Sequence, residues 1–120
     1  MNDKRETPIQ DWLPLNPQVL AILLVLMDQD RHGYGIMQDA ESLSGAEVQM
    51  QPGALYRHLK KLLEGGLVRE LERQQVDPGS DERRRYYSIT HLGREVAAAE
   101  TERMERWIQL GKARRVLDQG

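Results

Sequence analysis

Cysteine does not occur in this sequence, and neither does phenylalanine. The first absence removes disulfide frameworks, thiolate metal sites and cysteine nucleophiles together. The second, with only four tyrosines and two tryptophans, leaves a core to be built from Leu, Val, Ile and Met. Long apolar runs are missing too. Val19 to Met27 is strongly apolar, but it is less than half of the roughly 20 residues a membrane span needs. The first residues, Met1 to Asp11, carry mixed charge and no apolar stretch, which is not the pattern of a signal peptide. A cytoplasmic protein without a membrane partner is expected. What is there is a chain of 120 residues, 39% hydrophobic and 30% charged: one domain with a modest core and a large charged surface.

The charge is unevenly placed. The formal net charge is −2, yet Pro52 to His91 holds eight Lys/Arg against six Asp/Glu, so the remainder of the chain sums to −4 while this stretch is net +2. It contains the two segments that carry the functional reading, a helix from Pro52 and the run Arg83-Arg84-Arg85.

Asn16 followed by Pro17 is a helix start, a side-chain cap before a residue whose missing N–H costs nothing there. The helix is expected to run to about Asp28. Its apolar residues wrap most of the circumference, so more than one side must be covered; Leu20 and Leu24 are assigned to a second subunit. Asp28 to Gly33 reads as a turn, Tyr34 to Leu43 as a second helix, and Pro52 as the opening of a third. At about 100° per residue, Leu55, Leu59, Leu62 and Leu63 share one arc of that third helix. Gly53, Ala54, Arg57, Lys60, Lys61 and Glu64 share the opposite one, with Tyr56 and His58 on the borders. Gly65-Gly66 stops the helix, Gly65 supplying a left-handed cap. Leu67 to Gln75 and Arg85 to Ile89 read as strands joined by a turn at Asp77-Pro78-Gly79-Ser80, with Tyr87 and Ile89 facing inward. Thr90 caps a last helix from His91 to at least Leu110. The fold class is mainly α with a small β hairpin: a winged helix-turn-helix plus a C-terminal dimerisation helix. Its expected parts are an N-terminal arm at 1–15, a winged DNA-binding domain at 16–90, and a dimerisation helix with tail at 91–120.

A domain that presents a basic helix and a basic hairpin suits a polyanion, above all duplex DNA. The major groove accepts one helix and displays a distinct donor and acceptor pattern for each base pair. Gly53 and Ala54 are small enough to let the helix start approach the groove floor. Arg57 is the candidate for a bidentate contact to guanine, Lys60 and Lys61 for phosphate, and Tyr56 for a phosphate through its hydroxyl. Arg83, Arg84 and Arg85 could follow the backbone or reach into the minor groove. The competing reading leaves the basic face solvated, in a winged-helix module that binds protein and not DNA.

On the last helix Val96, Ala99, Trp107, Leu110 and Leu117 recur near a 3.5-residue spacing, with Met104 and Ile108 widening the stripe. A twofold partner is the simplest cover for such a helix. The expected dimer contact is Leu20, Leu24, Val96, Ala99, Arg103, Trp107 and Leu110. Two copies of Trp107 brought together could sandwich a small flat aromatic effector, or simply pack on each other. His32, His58 and His91 lie on different elements without companions at ligand spacing, so no metal is expected. His32 is better placed to bond the backbone at the start of the second helix. No cofactor signature and no nucleophile–base arrangement indicates an enzyme.

His32-Gly33-Tyr34-Gly35-Ile36, Pro52-Gly53-Ala54-Leu55-Tyr56 with Leu59 and Leu62, Gly66-Leu67-Val68, and Arg84-Arg85-Tyr86-Tyr87-Ser88-Ile89-Thr90 with Gly93-Arg94 form an ordered set. In order and spacing it resembles the PadR family of bacterial transcriptional regulators over about residues 18 to 95. The resemblance implies a homodimeric repressor on a pseudo-palindromic DNA site, with much of the dimer contact made by the C-terminal helix. It also implies that some members sense phenolic acids or other small apolar molecules. Two departures stand out. Gln51 occupies the position where the family usually has a Ser or Thr cap, and the single C-terminal helix resembles the family's shorter branch.

Overall fold

A computed structural model describes residues 8–74 and 83–115, with side chains undescribed at 72–74, 83 and 84. A 3-10 turn at Ile9–Trp12 leads into α1 (Pro17–Asp28), β1 (Arg31–His32), α2 (Gly33–Leu43), α3 (Pro52–Glu64), β2 (Val68–Gln74), β3 (Arg83–Ile89) and α4 (His91–Ala113). The strands form one antiparallel sheet in the order β1-β3-β2. This is the arrangement of a winged helix with a long helix appended.

Local chemistry explains most boundaries. The Asn16 side chain accepts from the Gln18 N–H at 2.7 Å, with Pro17 in the first helical turn of α1. Thr90 does the same for α4, accepting from the Gly93 N–H at 3.0 Å, and its hydroxyl also donates to the Gly66 carbonyl at 2.6 Å. That second bond ties the root of α4 to the turn between α3 and the wing. The core is aliphatic, with Ile22, Leu23, Leu26, Ile36, Leu55, Leu59, Leu62, Leu67 and Val96 all essentially inaccessible to water.

Three expectations need correction: which glycine after α3 is left-handed, the turn before α2, and the place of Val96. The left-handed residue after α3 is Gly66 (φ 78°), whereas Gly65 keeps helical angles. Gly66 N–H bonds the Leu63 carbonyl and Leu67 N–H the Leu62 carbonyl, the paired closure that needs a left-handed residue one step beyond the cap. The expected turn before α2 contains β1, which pairs Arg31 with Tyr87 and His32 with Tyr86. That pairing buries Tyr86 beside Tyr87, the His32 ring standing edge-on to Tyr86 at 5.5 Å. The described part of the N-terminal arm, from residue 8, lies on its own domain: Leu15 is in the core cluster, and Trp12 rests against Gly65. Val96, assigned to the dimer contact, is fully buried in the chain's own core. The last helix, expected to reach at least Leu110, runs through Gly111 to Ala113.

Candidate nucleic-acid interface

The two arcs of α3 separate as amphipathic spacing requires. Leu55, Leu59 and Leu62 are buried, while Gly53, Tyr56, Arg57, Lys60 and Lys61 are exposed and Ala54 is half-buried. Arg57 bends back along the helix, its Nη1 at 3.5 Å from the Gly53 carbonyl. The expected basic residues of α3 therefore share one solvent-facing surface. Gln51 makes no side-chain cap bond at the start of the helix, although its backbone has the extended conformation of a cap.

His58, on the border, fixes the helix in place. Its Nε2 lies 2.8 Å from Gln18 Oε1 of α1, and Gln18 Nε2 donates in turn to the Gln49 carbonyl at 3.2 Å. Burial, followed by the charges of Arg57 and Lys61, holds the imidazole below its ordinary value of 6.5. At neutral pH this favours an uncharged ring, and the positive surface of α3 comes from Arg57, Lys60 and Lys61.

On the wing, Arg85 is exposed and its Nε sits 3.2 Å from Glu70 Oε2 of β2. Arg83 and Arg84 belong to β3, opposite Gln74 and Arg73; their side chains, and the turn expected at 77–80, lie outside the described residues. Arg85 meets Tyr56 across an open groove of about 400 Å³ whose other walls are His32, Gly33, Tyr34 and Tyr87. The first-turn residue Tyr34 was not among the expected site residues. Its signal was its place between two glycines, and it is 61% exposed. His32 caps α2 as expected, its Nδ1 accepting from the Gly35 N–H at 3.1 Å.

The residues assigned to a dimer contact divide three ways. Trp107 and Leu110 are exposed on the outer half of α4, beside exposed Met104 and Ile108. Leu20 and Leu24 line a groove of about 350 Å³ between α1 and α4, together with Met104, Glu100 and Arg103. Ala99 is half-buried, and Arg103 has a partner within its own chain, the buried Glu100. Among the described residues, no group of three His, Cys, Asp or Glu is placed to hold a metal ion, and no helix is long and apolar enough to cross a membrane.

A family model described as "Transcriptional regulator PadR-like family" matches residues 22–99. No curated protein matches the chain. Among solved structures, a PadR family transcription regulator from Clostridium difficile R20291 superposes with a TM-score of 0.69 at 19% identity, over 82% of this chain and 97% of that one. A transcriptional regulator from Thermoplasma acidophilum gives 0.64 at 22%, over 80% and 87%. Bacillus subtilis PadR, solved in complex with operator DNA, gives 0.62 at 23%, over 72% of this chain and 46% of that one. At these identities the structural likeness establishes the shared fold.

Proposed function

Because the chain belongs to the PadR-like family of transcriptional regulators, we propose that it binds double-stranded DNA as a homodimer and represses transcription. The observation that carries this reading is the single exposed face of α3 bearing Arg57, Lys60 and Lys61. The DNA complex of the structurally similar Bacillus subtilis protein supports it. In this reading residues 16–90 form the DNA-binding unit and 91–120 the dimerisation helix and tail. Helix α3 lies in the major groove with Gly53 and Ala54 nearest the bases. Arg57 pairs with a base edge, while Lys60, Lys61, Tyr56 and the arginines at 83–85 meet the backbone.

Duplexes selected from a random pool should contain two mirrored half-sites about one helical turn apart. On such a duplex, anisotropy titration of Arg57→Ala should show a loss of about 1–3 kcal/mol and relaxed preference at one position. Lys61→Ala should weaken selected and scrambled duplexes alike. Equal affinity of Arg57→Ala and the parent on both duplexes would remove Arg57 from the reading. Binding of the parent that is indifferent to salt would remove DNA altogether, since phosphate contacts release counterions.

The proposal extends to an effector. Two exposed Trp107 indoles facing each other across a twofold axis offer flat apolar walls to a small aromatic molecule, whose binding would release the repressor. Titration of intrinsic fluorescence with planar phenolics and cationic dyes should quench the wild type but not a Trp107→Leu variant.

A further inference from the structure

We propose that the groove between α2, α3 and β3 holds one backbone phosphate of bound DNA, gripped by the hydroxyls of Tyr34 and Tyr56 and the guanidinium of Arg85. This assignment rests on the DNA-binding reading above and adds a site that spans the helix before α3, α3 itself and the wing.

Aromatic residues are scarce in this chain, yet two of its four tyrosines stand largely in water at this groove. Tyr34 is 61% exposed and Tyr56 is 50% exposed, so burial of their rings in the core does not explain them. Tyr87 forms the inner wall and is buried beneath them. The Tyr56 hydroxyl rests directly over Gly33, where any side chain would collide with it. Gly33 thereby leaves room for that hydroxyl in the groove that Tyr34 and Arg85 also line. The bond from Gly35 N–H to His32 Nδ1 and the edge-on contact with Tyr86 hold the remaining wall still.

The donors suit an oxyanion. Each phenol offers one O–H, and a guanidinium offers a planar fork that matches phosphate oxygens. Arg85 is paired with Glu70, but its side chain is 75% exposed. An ion pair so exposed contributes little, so exchanging the Glu70 carboxylate for a phosphate is cheap. The groove also has the right neighbour. Tyr56 precedes Arg57 on α3, so a phosphate held here belongs to the same duplex whose bases α3 reads.

The test uses the full chain and a duplex selected from a random pool, with single phosphates replaced in turn by neutral methylphosphonate. Tyr34→Phe and Tyr56→Phe keep the rings and remove only the hydroxyls; each should weaken binding roughly tenfold, the scale of one hydrogen bond to a charged group. Arg85→Gln should in addition lower the salt slope by about 0.9, one phosphate's worth. At one phosphate per half-site, neutralisation should cost the wild type more than it costs any of these three variants, because each variant has already lost one of the three contacts to it. Gly33→Ala, which displaces the Tyr56 hydroxyl, should reduce the penalty at the same phosphate as Tyr56→Phe does, with its thermal unfolding still cooperative. The site is overturned if the Phe variants bind as tightly as wild type, or if their methylphosphonate profiles match the wild-type profile. Under either result, weakened binding by Lys61→Ala would leave the DNA reading standing. A wild type that binds no duplex would remove both.

Discussion

Glu100 is the one charged side chain buried in the described core, and it joins two parts of the chain far apart in sequence. Its carboxylate accepts the Leu15 N–H at 3.1 Å and two Arg103 nitrogens at 2.6 and 3.0 Å. The Arg103 hydrogen bond, helped by the Leu15 N–H and opposed by burial, holds this carboxyl below its ordinary value of 4.5. Glu100→Ala would leave the Leu15 N–H without an acceptor, a cost of about 1–3 kcal/mol in urea unfolding at neutral pH. Glu100→Gln keeps an acceptor there and should lose less. The acid response has two stages, since His58 is also held below 6.5 by burial and by Arg57 and Lys61. For both groups the folded chain binds its proton less readily than the unfolded chain. Stability is therefore full above the unfolded value and falls as pH drops toward the folded one. The urea midpoint should decline first below about 6.5 and again below about 4.5. His58→Gln should flatten the first decline and Glu100→Gln the second.

Helix α3 was legible because its whole design is an angular pattern: leucines at 55, 59 and 62 on one arc and basic residues on the other, as the burial of each shows. β1 was not legible. Two residues carry no periodicity, and Arg31–His32 become a strand only because Tyr87 and Tyr86 of β3 lie alongside. The adjacent glycines at 65 and 66 announced a stop without saying which would turn left-handed; the contact of Trp12 with Gly65, 53 residues away in sequence, was invisible from local pattern. The missing cap at Gln51 was legible, and it yields a prediction for the whole element. Its backbone angles, φ −81° and ψ 154°, already suit a cap, but its side chain makes no such bond. Gln51→Ser should therefore stabilise the fold by about 1 kcal/mol. An increased urea midpoint at unchanged slope would show it.

The molecule is elongated, 58 × 44 × 23 Å in its principal extents, and α4 divides it into a covered half and a bare half. Val96, Ala97 and Glu100 are buried against the chain's own domain. Beyond them Met104, Trp107, Ile108 and Leu110 are 43–64% exposed on consecutive turns. Heptad-like spacing indicated a partner for this helix but placed its near end wrongly. Val96 fits the same stripe, yet it belongs to the chain's own core cluster, near the end of α4 that Thr90 ties to Gly66. If two copies cover these bare turns, Trp107→Glu should give a monomer in sedimentation, with its helical circular dichroism retained, because the changed side chain is 64% exposed. The consequence for DNA separates dimerisation from contact chemistry. On a duplex with a single half-site the variant should bind like one wild-type subunit. On the two-half-site duplex it should lose about 10²–10⁴ in affinity, since the second contact is no longer intramolecular. A variant that still sediments as a dimer, or that weakens equally on both duplexes, would place the twofold contact elsewhere on the molecule.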